Sequence, residues 1–240
     1  MTSFKGTILA GVAIFSIAIF GGLWFVGTGI EARDVRGITV TGSAQIPATA
    51  DVAVWNIYLN AQLPSIPEAV NKVEDDKKAI IDYLKQKGIL ETEISVGGIS
   101  TFRVVEYVDG NQTNNILGYE ASSNIRVRSV NIDNVINANK DIAQVLQTGI
   151  NAGVNAPEFY LSNLQDLRPE VIQAAVEDAK VRAQAMVAGV GGTIGDPISA
   201  STGSVEVNPP DVLEGGYGSY DTSTVEKSVR AVVSVTFGIE

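Results

Sequence analysis

The sequence has no cysteine and no histidine among its 240 residues. Without cysteine there are no disulfides, thiolate nucleophiles, iron–sulfur clusters or cysteine-bound zinc, and without histidine there is no Ser-His-Asp triad and no imidazole metal ligand. Positive charge is also scarce, because 17 Lys and Arg stand against 27 Asp and Glu, for a net charge of −10. An acidic chain repels phosphate, so nucleic acid is excluded as a partner.

Charge is missing altogether from residues 6–30, which lie between Lys5 and Glu31. A helix of this length reaches roughly 37 Å at about 1.5 Å per residue, which exceeds a hydrocarbon core of about 30 Å. The segment is therefore predicted to be a transmembrane anchor, with a short tail at 1–5 before it and a linker at 31–37 after it. The side chains expected in or at the edge of the bilayer are Ile8, Ile14, Phe15, Ile19, Phe20, Trp24 and Phe25.

A cleaved signal peptide is the competing interpretation of this N-terminal segment. Such a peptide normally has an apolar run of about 7 to 15 residues followed by a small-x-small cleavage site. Here the run is longer, and residues 28–33 contain no convincing cleavage signal. Basic residues lie on both sides of the run, at Lys5 and at Arg33 and Arg36, so charge alone does not fix the orientation.

The rest of the chain, residues 38–240, is predicted to be one α+β domain. Residues 118–130 alternate as a half-buried strand does. One face would hold Tyr119, Ala121, Ser123, Ile125 and Val127, and the other would hold Glu120, Ser122, Asn124, Arg126 and Arg128. Further strands are predicted at 38–44, 51–60, 94–107, 156–163, 197–202 and 228–238, with a bulge at Gly97-Gly98.

Three helices are predicted between these strands, at 65–87, 132–152 and 168–188. Ser65 can cap the first helix with Glu68 reaching back to it, and Gly88 ends that helix. Gly153 is expected to end the second helix in the same way. The third helix is rich in alanine, and its small face permits close approach to a sheet or to another helix. That face is expected to contain Ala174, Ala175, Ala179 and Ala183.

The first two helices belong to an apparent duplication with an offset of 65 residues. Gly88-Ile89 followed by Glu93-Ile94 recurs as Gly153-Val154 followed by Glu158-Phe159. The order strand, helix, strand, strand, helix, strand is that of the split βαβ, ferredoxin-like arrangement. The strand at 38–44, the Ala-rich helix and the C-terminal strands remain outside this unit. They either extend its sheet or form a second layer.

Residues 203–224 are rich in Pro, Gly, Ser and acidic side chains and are predicted to be a long mobile loop or a contact arm. Asp211, Glu214 and Asp221 in this loop are candidate calcium ligands, but their spacing is not that of an EF-hand, which favours solvated loop charge. Asp75 and Asp76 are interpreted as surface charges on the first helix. The glycines of residues 189–195 are interpreted as a helix C-cap, because they leave a helix and lack a P-loop lysine.

No pattern of catalytic residues is present, so no enzyme activity, cofactor or metal is predicted. Glu120, Arg126 and Arg128 lie on the polar face of one strand and are the expected contacts to an acidic ligand or to another subunit. A solvated sheet face is the alternative interpretation of these three side chains.

Several segments of the sequence resemble the SIMPL family, a bacterial envelope family known as a domain of unknown function (DUF541) and exemplified by a Brucella periplasmic immunogen. The resemblance rests on GITVTGSA at 37–44, ADVA at 50–53, ILGYEASS at 116–123, GVN at 153–155 and AAVEDA at 174–179. It covers about residues 37–240. Two features depart from the family pattern: the anchor in place of a cleaved signal peptide, and VEKS at 225–228 where a Pro-Gly turn is common.

This resemblance implies a non-enzymatic protein of the bacterial envelope that assembles into ring-like or channel-like homo-oligomers, with a link to envelope or oxidative stress. Together with the anchor, it predicts a single-pass protein of the bacterial inner membrane with an extracytoplasmic, periplasmic domain. Its expected partners are copies of itself and the lipid bilayer. The alternative is a small-ligand-binding or carboxylate-based enzymatic domain, using Tyr119, Tyr217 or the 203–224 loop around a pocket.

Overall fold

The computed structural model describes residues 37–212 and 216–240. The predicted anchor at 6–30, with all its proposed bilayer side chains, lies outside the described residues. Within the described ranges, no helix is both long enough and apolar enough to cross a membrane.

The described chain contains ten strands and three α-helices. In chain order they are β1 (Gly37–Thr49), β2 (Val52–Leu63), α1 (Ile66–Gln86), β3 (Ile94–Val96), β4 (Ser100–Val108), β5 (Asn111–Ser129), α2 (Ile132–Leu146), β6 (Ala152–Val154), β7 (Glu158–Tyr160), α3 (Leu164–Ala188), β8 (Ile194–Thr202), β9 (Glu206–Asn208) and β10 (Glu226–Ile239). The domain is therefore α+β, as expected from the sequence.

The first sheet has β5 and β2 at its centre, with β3 and β4 on one edge and β6 and β7 on the other. Every pair is antiparallel. This order is the one expected for the split βαβ arrangement. The edge strand formed by β3 and β4 is interrupted at residues 97–99, where Gly97-Gly98 predicts a bulge.

The two helices α1 and α2 pack on one face of this sheet and form its core. The largest fully buried side chain is Trp55, whose Nε1 donates to the carbonyl of Asn155 at 2.8 Å. Ser65 caps α1 by accepting from the backbone N–H of Glu68, as predicted. Tyr83 donates to the carbonyl of Ala138 at 2.7 Å, which joins α1 to α2. Burial raises the pKa of Tyr83 to about 12, with a further contribution from Asp141.

The end of α2 differs from the prediction, because the helix stops at Leu146 and not at residue 152. Gly149 adopts a left-handed φ of +92°, which ends the helix there, and Gly153 lies in β6. The counterpart of Gly88, which has φ +83°, is therefore Gly149. The offset of 65 residues proposed for the duplication is wrong at this glycine, although Glu158 does begin a strand as Glu93-Ile94 does.

The elements outside this unit form a second sheet with strand order β1, β10, β8. The short strand β9 also pairs with β10, at residues 228–230, on the same side of β10 as β8. The helix α3 covers one face of this sheet and begins at Leu164, four residues before the predicted start, with Pro169 inside it. Ala175, Ala179 and Ala183 are fully buried against the sheet, whereas Ala174 is exposed. The alanine face is thus confirmed for three of its four predicted members.

The predicted loop at 203–224 contains the strand β9 within its described residues, 203–212 and 216–224. All three residues of β9 are buried. Val207 donates to the carbonyl of Ser219 at 2.9 Å, and Asp221 donates to the carbonyl of Val207 at 2.8 Å. The sequence did not indicate β9, because a three-residue strand is too short to show an alternating pattern.

Candidate functional site

The face of the first sheet that α1 and α2 leave uncovered carries polar side chains. Ala121, Ser123, Ile125 and Val127 of β5 are buried, and the residues between them are exposed or half-buried. The predicted division of β5 into a core face and a wet face is therefore confirmed. The uncovered face presents Asn56, Tyr58 and Asn60 from β2 beside Ser122, Asn124 and Arg126 from β5.

A shallow depression of about 360 Å³ lies at the middle of this face. Tyr58 is 51% exposed within it and is registered between Asn124 of β5 and Gly153 of β6. The remaining lining residues are Leu59, Asn60, Gly98, Ser100, Ser122 and Ser123. No charged side chain lines the depression, so it suits neutral, hydrogen-bonding groups. Sequence reasoning did not identify Tyr58 or Asn60, although their alternation along β2 placed them on this face.

The three predicted contact residues do not form one cluster. Arg126 and Arg128 are neighbours on one face of β5 and are both exposed, whereas Glu120 lies six residues before Arg126 and is half-buried. At about 3.4 Å per residue, roughly 20 Å of strand separates Glu120 from Arg126. The two arginines and Glu120 therefore lie towards opposite ends of the uncovered face.

Two carboxylates and a tyrosine surround the arginine end of the face. Hydrogen bonding to Glu158 raises the pKa of Tyr160, and Arg126 opposes that effect. Burial tends to raise the pKa of Asp51, but hydrogen bonds from Ser162 and the charge of Arg128 lower it on balance. At this corner the Tyr160 hydroxyl donates to the Glu158 carboxylate, and Ser162 donates to the Asp51 carboxylate.

A β-hairpin formed by β4 and the first part of β5 carries an unusual number of exposed apolar side chains. Its turn is Asp109-Gly110, where both residues have positive φ, of 52° and 79°, as a two-residue hairpin turn of type I′ requires. The exposed residues are Phe102 (52%), Tyr107 (64%), Val108 (51%), Ile116 (44%) and Leu117 (54%). Large exposed apolar side chains concentrated on one hairpin are typical of an interaction site.

A buried ion pair lies where the two sheets meet. The Lys227 side chain is fully buried, and its Nζ donates to the carboxylate of Asp221 at 3.0 Å and to the carbonyl of the same residue at 2.6 Å. Asp221 also accepts from the backbone and hydroxyl groups of Ser223 and Thr224. The interpretation of Asp221 as solvated loop charge is therefore wrong, since its carboxylate is saturated by internal donors.

The segment around this pair connects the two sheets. Phe159 of β7 donates to the carbonyl of Thr222 at 2.8 Å, and Leu161 donates to the hydroxyl of Tyr220 at 2.9 Å. Tyr220 in turn stacks on Tyr160 with ring centroids 5.8 Å apart. The Asp221–Lys227 ion pair thus lies within the segment that connects the two sheets, and we call this ion pair the latch.

The other acidic candidates are accounted for separately. Asp76 is buried and paired with Lys72 at 2.5 Å, so it is not the surface charge predicted, whereas Asp75 is exposed. Asp211 is exposed, and Glu214 lies outside the described residues. In the ranges that the structure describes, no group of three or more acidic side chains is arranged to hold a metal ion. Gly189 forms the C-cap of α3, as predicted.

Comparison with known proteins shows which proteins this sequence is similar to. The model of the SIMPL family, described as a protein of unknown function (DUF541), matches residues 38–237. The 26 kDa periplasmic immunogenic proteins of Brucella melitensis and Brucella abortus are each 26% identical over 166 residues, which is 64% of this chain. The match covers 63% of the length of each Brucella protein.

Solved structures give only distant matches. The de novo designed protein Foldit4 covers 43% of this chain and 93% of its own length, at 14% identity and a TM-score of 0.25. An amidase of the hydantoinase/carbamoylase family from Burkholderia phymatum covers 58% of this chain and 36% of its own, at 11% identity and a TM-score of 0.27. Similarity at these scores carries no argument about activity.

Proposed function

The chain belongs to the SIMPL family, and from this premise we propose that it is a non-enzymatic bacterial envelope protein, anchored in the inner membrane by residues 6–30, whose periplasmic domain self-associates into a ring-like or channel-like homo-oligomer. The names of its Brucella relatives, which are periplasmic immunogenic proteins, support an extracytoplasmic location. A role in envelope or oxidative stress belongs to the same proposal and rests on the family resemblance.

The observation that carries self-association is the exposed apolar surface of the β4–β5 hairpin. A two-stranded ribbon is marginally stable in water by itself, and five large apolar side chains raise the cost of leaving it exposed. Its turn, Asp109-Gly110, is polar, which does not suit insertion of the hairpin tip into lipid. A second copy of this chain offers the same apolar surface and is the partner we assign to the hairpin.

Light scattering coupled to size-exclusion chromatography of the full chain in detergent tests this assignment. The wild type is expected to elute as a particle containing several chains. Replacing Tyr107 and Leu117 with serine removes apolar area that is already exposed, so the fold should persist while the particle mass falls. Met186→Ser is the control, because Met186 is 56% exposed on α3, away from the hairpin. A wild-type protein with the mass of one chain would contradict self-association.

The two charged ends of the uncovered face make a second, separate prediction. If Arg126 and Arg128 of one copy meet Glu120 of the next, then Arg126→Glu and Glu120→Arg should each shift the equilibrium towards smaller particles. Combining the two substitutions restores opposite charges across the contact and should recover part of the particle mass. Particle masses at low and moderate salt provide the measurement. A combined variant as dissociated as the sum of the single variants would mean that Arg126 and Glu120 do not meet across the contact.

A further inference from the structure

The face of the second sheet opposite α3 presents two polar rows that cross its strands. Strand pairing places Thr41 beside Ser234 and Ser234 beside Ser201, which makes the first row. Four residues along β10, pairing places Gln45, Arg230 and Glu206 side by side, which makes the second row. Val232 lies midway between the two rows on the same face, because side chains two residues apart on a strand point the same way.

A depression of about 500 Å³ lies on this face, within the range of small-molecule pockets, roughly 300–1,000 Å³. Val232 and Gly203 contribute its apolar floor, and Gly203 donates to the carbonyl of Val232 at 3.1 Å. The hydroxyls of Thr41, Ser201 and Ser234 form one side and make no side-chain hydrogen bond within the described part of the chain. They are therefore available to a ligand.

An aromatic ring lies beside this floor. Tyr217 is 87% exposed, and a Cβ placed on Gly203 would lie 3.9 Å from Tyr217 Cε2. The absence of a side chain at Gly203 thus leaves the floor next to the ring clear. An exposed ring beside a small apolar floor offers a flat surface for the apolar face of a ligand.

The opposite side of the depression contains the Glu206 carboxylate, which is paired with the Arg230 guanidinium. Glu206 is buried, with 8% of its surface exposed, and its Oε2 accepts from Arg230 Nη1 at 3.3 Å and from Asn208 Nδ2 at 3.5 Å. The two charges cancel, so the depression attracts neither anions nor cations strongly. Ser204 adds a buried hydroxyl that has no hydrogen-bond partner in the described ranges.

From these four features we infer that the depression binds a neutral sugar, of the size of a mono- or disaccharide. A pyranose ring has an apolar face of C–H groups, which fits the Tyr217 ring and the Val232 floor, and an edge of hydroxyl groups that donate and accept. Carboxylate and hydroxyl oxygens accept hydrogen bonds from such groups, and hydroxyl groups also donate to them. This site lies on the other sheet from the hairpin and goes beyond the proposed self-association.

Saturation-transfer NMR on the full chain tests the inference. The protein is kept in an alkylphosphocholine detergent, because a glycoside detergent would itself present sugar. The probes are maltose, cellobiose and N,N′-diacetylchitobiose, and glucuronic acid is the anionic sugar used for comparison. Saturation is expected to reach the ring C–H protons of at least one neutral disaccharide. Tyr217→Ala should weaken its affinity roughly tenfold, whereas Met186→Ser, at an exposed position of α3 on the other face of this sheet, should leave the affinity unchanged.

Three outcomes would overturn the inference: no saturation transfer to any neutral disaccharide, unchanged affinity in Tyr217→Ala, or binding of glucuronic acid alone. Glu206→Gln provides a second check, because it keeps the side-chain volume and removes the carboxylate acceptor, and it should also weaken binding. Since Tyr217 is outside the hairpin, particle mass measured on the same samples separates loss of sugar binding from loss of self-association.

Discussion

Replacing Gly42 with alanine is expected to destabilise the domain by about 3 kcal/mol, the upper end of the usual overpacking cost. A Cβ at this position would lie 2.2 Å from the carbonyl oxygen of Ala175 and 2.5 Å from the backbone nitrogen of Ala179. Both atoms belong to the backbone of α3, so they cannot rotate away as a side chain could. The helix would have to move off β1, which would open the core of the second sheet.

Thermal unfolding of the full chain, followed by circular dichroism, measures this effect. At about 2–4 °C per kcal/mol for a domain of this size, Gly42→Ala should lower the midpoint by roughly 6–12 °C. Gly153→Ala is the matched control, because the nearest atoms to its new Cβ are 3.9 and 4.0 Å away, and it should change stability by less than about 0.5 kcal/mol. Equal midpoints for the two variants would mean that α3 does not press on β1 at Gly42.

The sequence predicted that α3 approaches a sheet or another helix closely, but it could not identify which element. Alanines four residues apart, at Ala175 and Ala179, indicate a small helical face, and this follows from local spacing alone. The partner of that face, Gly42, is 133 residues away from Ala175, and no local pattern encodes a contact of such separation. The same reasoning explains why the additional strands were predicted but their assembly into a separate sheet was left open.

For a related reason, the sequence predicted the uncovered face of β5 but not the exposed hairpin. Alternation along β5 correctly placed Arg126 and Arg128 on an uncovered face, because the period of a strand assigns each residue to one side. It could not show that the β4–β5 hairpin exposes Tyr107 and Leu117, since exposure there depends on where neighbouring elements end. The depression under Tyr217 draws its lining from both sheet edges and a loop, so Tyr217 was named only as an alternative.

Breaking the latch is the second substitution with a large expected effect. Asp221→Asn leaves the fully buried Lys227 ammonium without its counter-charge, and removing one partner of a buried pair costs about 3–5 kcal/mol. Lys227→Met should cost less, because the Asp221 carboxylate keeps its hydrogen bonds from Ser223 and Thr224. Chemical denaturation of the full chain, comparing the two single variants, measures the difference. If Lys227→Met lowered the free energy of unfolding more than Asp221→Asn does, the ammonium would contribute more to stability than the carboxylate.

The pH dependence of stability separates the latch from the other carboxylates. Burial tends to raise the pKa of Asp221, but hydrogen bonds from Ser223, Thr224 and Lys227 lower it well below its usual range. A carboxylate whose pKa falls on folding stabilises the folded state above its unfolded pKa of about 3.9, and this contribution fades as pH drops below that value. Wild type should therefore lose its advantage over Asp221→Asn between about pH 4 and pH 2.

Hydrogen bonds also lower the pKa values of Asp51 and Asp178, and for Asp51 they outweigh the opposite effect of burial. The loss of wild-type stability at low pH therefore cannot be assigned to Asp221 from wild type alone. Both carboxylates are present in wild type and in Asp221→Asn, and their contributions cancel in the difference between the two proteins. The double variant Asp221→Asn with Lys227→Met removes both charges of the latch. It should be more stable than Asp221→Asn alone, because no unpaired ammonium remains buried where the two sheets meet. A double variant that loses the sum of the two single costs would mean that these side chains act independently.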